Sequence, residues 1–262
     1  MSRQLLPVAL LAAAGCTAAL KEPPPMTALA PGEKPARSAE ALLAEGAAEY
    51  AKRPDAAAVG KADQLCLEAA RVDEQDVAGL LCSVRCKAWL VEHAGSGTDR
   101  TELAVAAVQA GQWCQRRAPK DPACGYWLAV ALGMQAREKP RTAKDAIGRI
   151  VSLLREAAAA DPGLDHAGPE RILALVLLRA PSWPLGPGDA DEALVLARKA
   201  VEREPEYPPN QLALGEALAR TGNERAARQA YGRALELAKA LSAKGDPDAP
   251  GWASEAEAKL KG

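Results

Sequence analysis

The segment from Pro208 to Leu241 constrains this chain more than any other. Leu214, Gly215 and Leu218 sit at helical spacing, and Gly222 breaks the run. Ala227, Ala230, Tyr231, Ala234, Ala238 and Leu241 then recur at three- and four-residue steps. Such recurrence puts an apolar stripe on each of two helices, with the glycine making the turn between them. Gly215 and Ala227 are small residues where the helices cross. A hairpin of this kind cannot bury its own stripe, so it must stack on others like it.

The same punctuation recurs upstream. Ala193, Ala197, Ala200 and Pro205 close a preceding unit, whose second helix is expected to start at an Asp189/Glu192 capping box. Its first helix, Gly168 to Arg179, holds the unbroken apolar run Ile172 to Leu178, as an inner helix of a stack would. Asp121-Pro122 reads as a cap followed by a first-turn proline, and Thr142 with Asp145 as the cap of the partner helix. Asp76–Glu92 is expected to pair with Thr101–Arg117, and Ser38–Lys52 with Ala56–Arg71. The pattern of Leu214-Gly215, Ala227, Tyr231 and Ala234 resembles the tetratricopeptide repeat over its full length of about 34 residues. The expected fold is therefore all-α: a tetratricopeptide-like helical-hairpin solenoid over residues 38–262. It has about five hairpins and a capping helix near Trp252–Lys261, polar face outward. Abundant Ala and Leu favour helix, and Val and Ile never alternate as a strand requires.

Residues 1–37 carry a different message. Met1–Arg3 is a short positive start and Leu5–Ala14 an apolar run of signal-peptide length. Ala13-Ala14-Gly15-Cys16 resembles the lipobox of bacterial lipoproteins, with Ala13 where that family usually has Leu. The resemblance implies a signal over residues 1–15, a lipid on Cys16 and, because Thr17 follows, the outer membrane, with the folded part facing the periplasm. One acyl-glycerol group holds a soluble domain at a bilayer surface. The alternative is an ordinary signal cut near Ala14. Residues 16–37, with Pro23-Pro24-Pro25, Pro31 and Pro35, read as an extended tether.

Export places the other cysteines in an oxidising compartment. Cys66 and Cys82 are equidistant from the turn at Glu74, and Cys114 and Cys124 from Pro119, so each pair lies level on antiparallel neighbours. Both pairs are candidate disulfides, with Cys86–Cys114 as a competing link. Cys82, Cys86 and a later His93 also suggest a metal site. A C-x-x-C pair and a fourth ligand are both lacking, so structural cysteine is the better reading and no metal or cofactor is expected.

Function classes narrow by charge and by chemistry. A net charge of −1 argues against a strongly basic nucleic-acid binder. His93 and His166, the only two histidines, lie at a helix end and in a loop with no nucleophile motif beside them. Capping accounts for Asp189, Asp191 and Glu192 without acid–base catalysis. Gly186-Pro187-Gly188 is too short and proline-locked to cradle phosphate. Binding rather than catalysis is the expectation, with no catalytic residues.

Gly168-Pro169-Glu170-Arg171, then Ala180-Pro181-Ser182-Trp183-Pro184-Leu185-Gly186 and Gly188-Asp189, resemble the T component of TRAP-type transporters. Tyr126-Trp127-Leu128-Ala129 and Pro209-Asn210 extend the likeness. It implies a helical lipoprotein that binds the transporter's solute-binding protein and a hydrophobic ligand channel through the stack. Read from the residues alone, the Ala180–Asp189 loop is a proline-stiffened insertion whose Trp183 either docks on the Ile172–Leu178 helix or contacts a partner. Tyr126, Trp127, Trp183 and Pro184 are the candidate contacts. A protein-binding scaffold predicts an open concave groove without a deep cavity. A transporter accessory predicts an apolar channel near Trp127, Leu132 and the Trp183 loop.

Overall fold

The computed structural model describes residues 22–26, 35–93 and 100–262. The expected signal, Cys16 and the turn around Gly95 lie outside the described residues. Eleven α-helices follow one another among those residues: α1 (Ala39–Tyr50), α2 (Ala56–Val72), α3 (Ala78–His93), α4 (Arg100–Arg117), α5 (Pro122–Glu138), α6 (Ala143–Ala160), α7 (Leu164–Arg179), α8 (Ala190–Arg203), α9 (Pro208–Arg220), α10 (Glu224–Ala243) and α11 (Ala249–Lys261). They pack as five consecutive hairpins, α1–α2 to α9–α10, with α11 laid against α10. This is the tetratricopeptide-like solenoid. None of the described helices is long and apolar enough to cross a membrane.

Local rules set most helix ends. Asp55 accepts the amides of Ala57 and Ala58, and Asp121 accepts that of Ala123 one residue before Pro122. Between α9 and α10, Gly222 takes φ +80. The Asn223 amide reaches back to the Leu218 carbonyl at 2.8 Å and the Gly222 amide to Ala219, the paired bonds of a Schellman turn. Two expected caps differ. The Thr142 hydroxyl donates to the Lys139 carbonyl within a short 3₁₀ turn, leaving α6 without a side-chain cap. Asp189 accepts the Glu192 amide at 2.9 Å, but the Glu192 carboxylate pairs outward with Arg155 and the Asp189 amide bonds Leu177. Only half of that capping box is made, because an ion pair between neighbouring hairpins competes for Glu192.

Alanine is what lets the hairpins approach. Ala193, Ala197 and Ala200 of α8 are fully buried, and Ala227, Ala230, Tyr231, Ala234 and Ala238 of α10 are buried, while Leu241 is half-buried. Gly215 faces the Tyr231 ring so closely that a Cβ there would overlap it. The largest cluster centres on α5, α6 and α7, with Leu132, Ile150, Leu153, Leu154, Leu173 and Leu177 at its heart. Cys66–Cys82 and Cys114–Cys124 are disulfide-linked, with Cα atoms 5.7 and 5.3 Å apart. Cys86 is the remaining thiol there, so the Cys86–Cys114 link is not the arrangement found.

Two expectations about the ends need revising. Of the expected tether, Glu22–Met26 lies against α4: the Trp113 indole donates to the Pro24 carbonyl at 2.8 Å, and Pro23 is buried. The C-terminal helix begins at Ala249 rather than Trp252, because Pro250 suits a first turn. It does more than cap an open end. Asp248, in the turn before α11, receives two bonds from Arg53, at 3.2 and 3.0 Å, and one from the Trp89 indole at 3.1 Å. The stack curls until its last turn meets its first hairpins.

Candidate functional site

That closure makes the concave side a cavity of about 700 Å³. Its wall comes from the first helix of each hairpin and from α11, and the second helices stay outside it. Four of the first helices contribute a stripe at helical spacing: Arg85, Ala88, Trp89 and Glu92 on α3; Trp127, Val130 and Met134 on α5; Ile172, Leu175 and Arg179 on α7; Pro209, Leu212, Ala213 and Glu216 on α9; α1 contributes Tyr50 at its end. The neighbouring stripe on each helix packs inward. Leu132 is therefore buried in the core rather than lining a channel.

Aromatic rings cover much of this wall. Trp89 stacks on His93 at 4.1 Å, and the His93 Nδ1 lies 2.9 Å from the Trp89 carbonyl. Tyr126 meets Trp127 edge-on at 5.1 Å, His166 stacks on Tyr207 at 4.4 Å, and Tyr207 meets Trp252 edge-on at 5.3 Å. Burial raises the Tyr50 phenol above its ordinary value and pushes the Tyr207 phenol up to about 12. Burial, followed by the Asp165 carboxylate, raises Tyr126 well above the usual range. These hydroxyls stay protonated at neutral pH, and that of Tyr126 donates to Asp165.

The entry to α7 is the most unusual backbone among the described residues. Asp165, His166 and Ala167 all take φ between 49° and 60°, three successive left-handed residues without a glycine among them. Each costs on the order of 1–3 kcal/mol, so the turn persists only because its neighbours hold it. Arg171 donates to the Asp165 and His166 carbonyls, to the Asp165 carboxylate at 3.0 Å and to the Asn210 amide oxygen at 3.0 Å. The fully buried Asn210 donates in turn to the carbonyls of His166, Ala200 and Glu204. The Tyr126 hydroxyl closes the network on Asp165 at 2.5 Å. The turn thereby places the His166 ring over Tyr207 at the cavity wall. His166 reads from the sequence as a loop residue, because nothing local signals a left-handed run that Arg171 and Asn210 support from a distance.

Of the predicted contacts, Trp127 faces the cavity, Tyr126 lies buried within its wall at 1% exposure, and Trp183 and Pro184 do not line it. Trp183 and Leu185 are each 86% exposed. Trp183 therefore does not dock on Ile172–Leu178, whose outer residues Ile172 and Leu175 face the cavity instead. The loop is ordered by its own backbone: the Gly188 amide bonds the Pro181 carbonyl at 2.9 Å, and the Leu185 and Gly186 amides bond Ser182. A Cβ at Gly188 would overlap the Ala180 and Pro181 carbonyls, so only glycine closes this knob. It holds two large apolar side chains in solvent.

The sulfurs of Cys66, Cys82 and Cys86 lie within 4.8 Å of one another, but His93 is not with them. With Cys66 and Cys82 bonded, one thiol is left, and burial pushes it up to about 12. It is a poor metal ligand or nucleophile.

Comparison with known proteins follows the fold. Residues 185–240 match a family model described as tetratricopeptide repeat. Among solved structures the chain is similar to a thermophilic TPR protein in Thermus thermophilus. Identity is 22%, TM-score 0.61, and the match covers 83% of this chain and 98% of that one. It is also similar to MamA 41-end from Desulfovibrio magneticus RS-1, at 16% identity and TM-score 0.51, over 77% of this chain and 96% of that one. These likenesses carry the fold alone. No curated protein matches.

Proposed function

We propose that this protein is a membrane-tethered, periplasm-facing scaffold that engages a partner protein through the Ala180–Asp189 knob. Repeat folds of this class generally serve protein–protein interaction. The observation that carries the reading is the exposure of Trp183 and Leu185 on a backbone locked by its own hydrogen bonds. A preorganised backbone lowers the entropy lost on binding, and tryptophan is enriched at interface hot spots. Lipidation at Cys16, after removal of residues 1–15, would supply the tether at the outer membrane.

Two measurements test this. A photo-crosslinking amino acid at position 183 of the full chain, in intact envelopes, should capture one protein, and Leu185→Asp should abolish the capture. A crosslinked yield unaffected by Leu185→Asp would sink the role of the knob. Labelling with radioactive palmitate should mark the wild type and not Cys16→Ala; equal labelling would sink the anchor.

The cavity favours a second reading, the transporter accessory of T-component type that binds a solute-binding protein and a small ligand. A volume of about 700 Å³ lies in the range of small-molecule sites, and aromatic rings cover much of its wall. Its wall is mixed polar and aromatic, so the ligand is amphipathic rather than purely apolar. Recovery of a solute-binding protein at position 183 would favour this reading; recovery of an envelope-assembly protein would count against it.

A further inference from the structure

Charged groups on the cavity wall decide what it can hold, and nearly all of them are already engaged. Asp248 is taken by Arg53 and Trp89, Asp165 by Arg171 and Tyr126, Glu216 by Arg179, and Glu92 by Arg137. Asp246 accepts the backbone amides of its own turn. Arg85 differs. It is exposed at the cavity wall, and its guanidinium has no hydrogen bond or ion pair among the described residues; its neighbours are the rings of Tyr50, at 5.6 Å, and Trp127, at 6.0 Å. An arginine beside aromatic faces leaves its fork of N–H donors unspent. That fork matches a carboxylate in a two-point pair.

We propose that Arg85 anchors the carboxylate of the cavity ligand, whose apolar body lies against Trp127 and the Ile172–Leu175 strip of α7. The ligand is then an amphipathic organic acid. This rests on the reading of the cavity as a small-molecule site. Tyr50 contributes twice, because Arg53 also sits over its ring, at 3.8 Å. Arg53 is neutralised by Asp248, which leaves Arg85 as the local positive charge. The competing chemistry is a cation held by Glu255, an exposed lining carboxylate without a partner among the described residues.

The test titrates the purified chain with three isosteric probes, naphthylacetate, naphthylacetamide and naphthylethylamine, and reads tryptophan quenching and thermal stabilisation. The acid should saturate and bind at least about tenfold tighter than the amide, a difference of about 1.4 kcal/mol. Arg85→Gln should bring acid and amide to the same affinity with the far-UV spectrum and melting temperature unchanged. Arg85→Lys, which keeps the charge but loses the fork, should fall between. Equal binding of acid and amide, preference for the amine, or full acid affinity in Arg85→Gln would overturn the anchor while leaving the cavity a ligand site. Failure of all three probes to bind would overturn both.

Discussion

The α9–α10 hairpin and the α7–α8 hairpin are neighbours in the same stack, and they are held in shape by different means. In α9–α10 a Schellman turn at Gly222, an Asn223 cap and an alanine stripe act within a few residues of one another. In α7–α8 the entry is a left-handed turn supported by Asn210 of the next hairpin, and the connection is a glycine-locked knob that meets no helix with its largest side chains. One hairpin follows from local rules; the other depends on remote side chains. A solenoid needs the first kind to propagate and uses the second kind to build a site.

Breaking this contrast should show most strongly at Asn210. Asn210→Ala strips partners from three carbonyls and from Arg171, and should cost about 4 kcal/mol in urea unfolding. A loss below about 1 kcal/mol would mean that the left-handed turn does not need the remote support assigned to it. Within the local hairpin, Gly215→Ala should cost about 2 kcal/mol by forcing Tyr231 off α9, and an unchanged midpoint would show that the crossing has slack. Arg53→Ala removes charge-assisted bonds from the partly buried pair with Asp248, side chains 12% and 26% exposed. It should cost about 1.5 kcal/mol and raise the radius of gyration in small-angle scattering as the ring opens. Should the radius stay constant, the cavity is held shut by packing elsewhere. The smallest effect is expected at Trp183. Trp183→Ala should leave stability within about 0.5 kcal/mol of wild type, and a larger loss would show that the indole packs on the stack after all.

Much of the fold was legible because helical periodicity is a short-range signal. The alanine stripe of α10, the Asp121-Pro122 start of α5 and the level positions of Cys66 with Cys82 and of Cys114 with Cys124 all follow from the 3.6-residue repeat and the turn positions. Half of the candidate site was legible as well. Tyr126 and Trp127 stand on a first helix, and aligning the hairpins would have put Arg85, Trp89, Ile172 and Glu216 on equivalent stripes. The Thr142 cap and the return half of the Asp189/Glu192 box do not form, because a 3₁₀ turn and the ion pair to Arg155 compete for the same groups.

By itself the sequence determined the number of helices in the repeat, their pairing and which face of each is apolar, since neighbours along the chain decide those things. Tertiary structure alone decided that the stack closes. Arg53 and Asp248 are 195 residues apart, and their meeting depends on small rotations between hairpins added over the whole solenoid. No local pattern encodes that sum. The same reason explains the rest: the cavity, the unspent guanidinium of Arg85 and the exposure of Trp183 are relations between distant elements. They exist only once the ring has formed.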